Sequence, residues 1–142
     1  MLARYHSCLA LWIVAQTSTL CAADLKLQLD GLKDDRGQFL IAVYQDAGSF
    51  LDSKKAVKET IVPVSEAKAG IVVAQLPVGT YAVAVVQDKN SNGKLDTNFL
   101  GIPREPFGIS QNASAWFGPP SFEQSKFELT EGMQLNIKLR EY

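Results

Sequence analysis

Asp88, Asn90, Asn92 and Asp96 stand at the first, third, fifth and ninth places of the run Asp88-Lys89-Asn90-Ser91-Asn92-Gly93-Lys94-Leu95-Asp96. Alternating short oxygen-bearing side chains can converge on one point, and a glycine at the sixth place, Gly93, permits the sharp turn that convergence requires. Lys94, at the seventh, offers its main-chain carbonyl, and Leu95 gives the loop an apolar anchor. Such a donor set suits a hard cation, and calcium is the one it matches. The twelfth place is Phe99 rather than a bidentate glutamate, and only Asp88 and Asp96 are charged. A cation held this way is expected to bind weakly, with a dissociation constant on the order of 10⁻⁴ to 10⁻³ M. The competing reading is a turn in which the Asx side chains bond their own backbone.

The loop has to leave a stable element, and the residues before it supply one. Leu76-Pro77-Val78-Gly79 is a turn, since proline presets φ and glycine admits a positive φ. Tyr81-Ala82-Val83-Ala84-Val85-Val86 is then apolar on both faces, short and rich in valine, which predicts a central strand covered on both sides rather than a helix. Gln38 to Tyr44 has the same two-faced character and is predicted to be central too. Asp24 to Leu32 alternates, with Leu25, Leu27 and Leu29 on one face, and reads as an edge-type or half-exposed strand. Gln45 to Lys58 reads as a loop with one helical turn and Phe50 tucked inward. Thr60 to Val64, with Pro63, reads as an edge strand. Ile71 to Leu76, Phe122 to Leu129 and Met133 to Arg140 complete the set, the last two joined as a hairpin by Thr130-Glu131-Gly132. About seven short strands with few helix signals predict an all-β fold, a two-sheet antiparallel β-sandwich of immunoglobulin-like or transthyretin-like kind.

Between Asp96 and Pro120 no period is visible. This segment carries Pro103, Pro106, Pro119 and Pro120 with Phe99, Phe107, Trp116 and Phe117. A loop this long is usually functional, and it has too many aromatics for a disordered one. It is expected to fold down as a cap on one end of the sandwich, its aromatics forming a small core of their own.

The amino terminus bounds the setting. Arg4, the apolar run Cys8 to Ala15 and the small residues Cys21-Ala22-Ala23 read as a secretory signal over residues 1–23, too short in its apolar part to span a bilayer. The β-sandwich domain is then residues 24–142, exported to the periplasm or the extracellular space. His6, Cys8 and Cys21, the chain's one histidine and both cysteines, all lie in that leader. The exported domain therefore has no disulfide framework. It also has no Ser-His or Cys-His nucleophile and no zinc or copper site built on those ligands. The 14 basic and 15 acidic residues form no basic run, which argues against a nucleic-acid partner.

The blocks Leu76-Pro77-x-Gly79-x-Tyr81-Ala82-Val83, Asp88-x-Asn90-x-Asn92-Gly93-Lys94-Leu95-Asp96-Thr97-Asn98, Gly101-Ile102-Pro103-x-Glu105, Pro119-x-Ser121-Phe122 and Ile137-x-Leu139 resemble a secreted bacterial family of unassigned function, domain of unknown function 2141. The resemblance runs over nearly all of the exported chain. It departs where the family places Ser-Asn and this chain has Ser110-Gln111-Asn112. It implies an extracytoplasmic sandwich and supplies no activity. The turn with Tyr81 is also similar to carboxypeptidase-regulatory and other transthyretin-like modules, which are commonly accessory rather than catalytic.

Three functions fit these residues. The first is a non-catalytic binding or structural module with a calcium-type loop at Asp88, Asn90, Asn92, Lys94 and Asp96, and with Glu105 reaching back as an extra ligand. The second is a carboxylate enzyme acting on a glycan, pairing Asp88 or Asp96 with Glu105 and stacking a sugar on Phe107 or Trp116. The third is an assembly or ligand-binding module that uses an exposed aromatic patch from Phe99 to Phe117. The non-catalytic module is the expected one; its glycan or protein ligand is not named by the residues.

Overall fold

The computed structural model describes residues 21–141. The expected leader falls almost wholly outside them, except that Ala22 and Ala23, at its proposed end, already lie in the first strand. Eight strands build two sheets. β1 (Ala22–Asp30) lies between β4 (Ile71–Pro77) and β8 (Gln134–Lys138), antiparallel to the first and parallel to the second. β3 (Lys58–Pro63), β2 (Gln38–Tyr44), β5 (Gly79–Asp88) and β6 (Phe107–Ile109) follow in that order in the other sheet. β7 (Phe127–Leu129) pairs with the first residues of β5. The expected all-β sandwich is what the chain forms. Among the described residues no helix is long and apolar enough to cross a membrane.

The core follows the period of two. Tyr81, Val83 and Val85 of β5 point between the sheets, where they meet Phe39, Ile41 and Val43 of β2, Leu25 and Leu27 of β1, and Ile137 of β8. The opposite face of β5 starts with Ala82 and Ala84. These small residues leave room for a second apolar layer in which Phe50 stacks edge-on against Tyr44 and Phe122, with ring centroids 5.5 and 5.8 Å apart. The first half of β5 is therefore covered on both faces, as its composition requires.

Several expectations are corrected. β1 is the middle strand of its sheet, not an edge, because alternation reports that one face is wet and says nothing about what pairs with the strand's two sides. Thr130 to Gly132 is a turn, with Met133 N–H bonded to Thr130 O, but it does not make a hairpin: β7 pairs with β5 and β8 with β1, so the chain changes sheets there. The stretch from Phe122 splits. Phe122–Ser125 is one helical turn, α1, opened by Ser121, whose Oγ accepts from Gln124 N–H while the Gln124 side chain accepts from Ser121 N–H. Ser121-x-x-Gln124 is a capping box legible in the sequence, and it outweighs the strand propensity of Phe122. The helical turn in the Gln45 to Lys58 loop is a 3-10 turn at Ser53–Lys55.

β6 lies inside the segment read as irregular. It runs from Phe107 to Ile109, and Gly108 at its centre packs directly on Ile137, where a Cβ would come within 2.6 Å of Cγ2. Past it, Ser110 turns inward and ends the ladder: its Oγ accepts Val83 N–H and donates to Ser125 O. Asn112 then covers the edge of β8, accepting Lys138 N–H at 2.8 Å and donating to Asn136 O.

Candidate functional site

The site begins where β5 ends. Asp88 pairs across the ladder with Gln38 and is fully buried. Its carboxylate accepts from the Gln38 side chain at 3.0 Å, from Gly93 N–H at 2.7 Å and from Asn92 N–H at 3.1 Å. A carboxylate inside the fold has to be met by donors, and here the loop that follows supplies two of them by curling back over it. Gly93 has φ +82°, the conformation that lets its N–H turn inward.

The remaining Asx residues continue the pattern. Asn90 Oδ1 accepts from Asn92 N–H and Asn92 Oδ1 from Lys94 N–H, each spanning two residues as an Asx turn does. Both amide groups then donate to Asp96, Asn90 at 2.6 Å and Asn92 at 2.9 Å. The loop thus gathers Asp88, Asn90, Asn92 and Asp96 into one linked cluster. Lys94 joins it through its backbone N–H, which Asn92 accepts, and its charge acts on Asp96.

Glu105 fastens both ends of the loop. Oε1 accepts Lys89 N–H at 2.9 Å and Oε2 accepts Asp96 N–H at 3.0 Å, with the side chain buried. Arg104 N–H donates to Asp96 O at 2.8 Å and Thr97 bridges to Pro103, so residues 96–104 form a small finger. Asn98 locks its apex by accepting from Leu100 and Ile102 N–H groups. At that apex stand Phe99, 95 % exposed, Leu100, 68 %, and Ile102, 42 %.

The aromatics therefore do not form a core for the segment, as expected from their number. Phe99, Trp116 and Phe117 all point to solvent, at 95, 98 and 95 % exposure. Inward-turned carboxylates and Asn98 give the loop the order that apolar content was expected to give. The finger springs from the Asp88 end of β5, whereas β6 carries the chain back along β5, so that the Trp116 loop leaves Ser110 near Val83 and returns to α1 beside Ala82. Phe107 is half-buried in β6 and its backbone exchanges both hydrogen bonds with Arg140. Of the residues named from sequence, Asp88, Asn90, Asn92, Lys94, Asp96 and Glu105 come together; Phe107 and Trp116 lie outside that cluster.

Several supporting residues carry no sequence signal beyond being polar at a strand end. Gln38 is one. Gln87 is another: fully buried, it donates to Asp34 O, Asp34 Oδ1 and Arg36 O, tying the β1–β2 connection to the same end of β5. Lys89 reaches Glu141 at 2.7 Å and Asp34 at 3.3 Å.

The electrostatics run one way. Burial opposes charge on Asp88, yet the Gly93 N–H, the Gln38 amide and the Asn92 and Ser91 N–H groups outweigh it and hold its pKa below the ordinary value. The amides of Asn92 and then Asn90 lower Asp96. The Arg36 guanidinium and N–H, with Lys89, hold Asp34 at about 2, and Lys33 and Lys89 lower Glu141. A carboxyl group whose pKa is depressed by folding adds stability above its unfolded value, and that stability is lost as pH falls through its folded value. Thermal stability is therefore expected to stay level from neutrality down to about pH 5 and to fall steeply below about pH 4, the unfolded carboxylate range. Melting temperatures across that range check this; an unchanged melting temperature well below pH 3 contradicts it.

Four side-chain oxygen ligands and two charges are chemically suited to a hard cation. Asp88 Oδ2 and Asp96 Oδ2 each already accept two hydrogen bonds, whereas Asp88 Oδ1, Asn90 Oδ1, Asn92 Oδ1 and Asp96 Oδ1 keep a further lone pair. Among the described residues no cluster of three or more His, Cys, Asp or Glu side chains forms a metal centre, so any cation has to draw on the two asparagines. Phe99, at the twelfth place, closes nothing.

No curated protein and no solved structure matches the chain. A family model described as "Uncharacterized protein conserved in bacteria (DUF2141)" matches residues 27–137, from within β1 to within β8 and across the entire Asp88 to Glu105 segment. With that stretch covered, the chain belongs to this bacterial family.

Proposed function

We propose that the chain is an exported, non-catalytic β-sandwich module whose Asp88 to Asp96 loop takes a weakly held hard cation of the calcium type. The observation that carries this reading is the shared geometry of Asp88, Asn90 and Asn92: each oxygen is oriented by a loop N–H, and all three link to the cluster that includes Asp96. A loop already folded into this form loses little entropy on binding an ion, which offsets its modest charge. Export rests on reading residues 1–23 as a secretory signal. The non-catalytic reading is supported by the hydrogen bonds of the three carboxylates: both oxygens of Asp88, Asp96 and Glu105 already accept N–H donors of the fold.

Calcium titration tests it. At a free concentration tenfold above a millimolar dissociation constant, mass action adds about 1.4 kcal/mol of stability. That corresponds to a rise in melting temperature of roughly 5 °C for a domain of this size. Calorimetry is expected to show a saturable heat in the same range, lost in Asp96→Ala. No heat and no shift at these concentrations overturns the cation.

A further inference from the structure

The finger at residues 96–104 displays its most apolar residues at its tip. Phe99, Leu100 and Ile102 are 95, 68 and 42 % exposed, yet Asn98 and Glu105 hold the backbone beneath them in a single form. A rigid tip that presents apolar side chains to water has already lost the entropy that docking would cost it.

The charges around the tip are sorted. The segment's carboxylates face donors: Asp88 and Glu105 are buried against N–H groups, and both oxygens of Asp96 are held by asparagine amides. The cations at the finger's base are left outward. Lys94 and Arg104 are exposed, and neither enters an ion pair among the described residues, although the Lys94 charge does act on Asp96. Lys89 and Arg104 also line an open polar hollow of about 450 Å³ at that base, together with Asn90, Asp96, Thr97 and Glu105. An apolar apex above unpaired cations is the arrangement that enters a lipid interface, where the apex meets the acyl boundary and the cations meet phosphate.

We propose that the Phe99–Ile102 finger docks this domain on an anionic phospholipid surface, with Lys94 and Arg104 on the headgroup phosphates. A groove on a protein partner would give the apolar apex a place but gives no reason for two unpaired cations at its base. The proposal does not depend on the cation loop, because protein hydrogen bonds already fix the finger.

Cosedimentation of the purified protein with vesicles tests it, in chelator and again in calcium. The protein is expected to bind phosphatidylcholine vesicles containing phosphatidylglycerol in both, and to bind pure phosphatidylcholine less well. Phe99→Ser with Leu100→Ser is expected to weaken binding at least about tenfold, since two apolar side chains no longer leave water. Both positions are exposed, so the melting temperature is expected to hold. Lys94→Gln with Arg104→Gln is expected to remove only the preference for phosphatidylglycerol, as is high salt. Trp116→Ser, on the loop that leaves beside Val83 and returns beside Ala82, is expected to bind as before. Absence of binding to either vesicle overturns the proposal, as does equal binding by the Phe99/Leu100 variant. So does a concentration-dependent dimer that the same variant abolishes while wild-type protein ignores lipid. Binding only in calcium would support the cation loop and overturn an independent finger.

Discussion

Gly37→Ala is expected to cost about 4 kcal/mol of folding stability, more than any other single methyl added to this end of the domain. Gly37 has φ +78°, where an L side chain is strained, and a Cβ there would lie 2.0 Å from Asp88 O and 2.8 Å from Lys89 Cα. Those are backbone atoms at the point where β5 becomes the loop, so the added methyl can be accommodated only by moving the end of β5. That motion would pull Asp88 from Gln38 and from the Asn92 and Gly93 N–H groups. Gly93→Ala is the informative contrast. Its φ is +82°, but nothing lies within 4 Å of a Cβ, so only the conformational strain remains, about 1 to 2 kcal/mol. Urea denaturation of the two variants checks both values; a Gly37→Ala loss no larger than that of Gly93→Ala contradicts the close approach.

Glu105→Gln is expected to cost about 2 kcal/mol and to lower the melting temperature by roughly 8 °C. The change keeps the shape and volume of the side chain. It removes the charge from two hydrogen bonds and turns one acceptor into a donor facing a backbone N–H. Whichever way the amide is rotated, either Lys89 N–H or Asp96 N–H loses its partner. Because those two groups are the ends of the loop, the effect is expected to spread to the finger while the sheets keep their pairing. A variant as stable as wild type would mean that Glu105 does not fasten the loop.

What the sequence made legible, and what it did not, divides along local and long-range physics. β2 is found at Gln38–Tyr44, the range expected, because Gly37 bounds it and both its faces are apolar. β5 and the loop after it are legible for the same reason: the valine run, the Asx spacing and Gly93 are all local. The place of β1 between β4 and β8 is not, since its residues record which face is wet and not which strands lie beside it. The switch of sheets at Thr130 to Gly132 looks like a hairpin in sequence because both need a turn with a positive φ, here at Gly132. β6 is held by a close packing of Gly108 on Ile137, a contact between residues far apart in the chain. The role of Glu105 was half visible: its acid and its distance from Asp96 suggested a reach back to the loop. The groups it reaches are backbone N–H groups, which every residue carries and no sequence marks. Composition left the aromatics open between a small core and an exposed display, because a phenylalanine in a long loop looks the same whether it is buried or displayed; the display is what Phe99, Trp116 and Phe117 adopt.

Amide hydrogen exchange tests most directly whether inward carboxylates hold the loop. Lys89, Asn92, Gly93 and Asp96 are four residues whose backbone N–H groups donate to the side-chain oxygens of Asp88 or Glu105. Without calcium these four amides are expected to exchange slowly, within the range of the β5 interior. In Glu105→Gln, protection is expected to fall at Lys89 and Asp96 and to persist at Val83 and Val85. Four amides that exchange as fast as an unfolded chain, or a Glu105→Gln profile identical to wild type, would contradict the account.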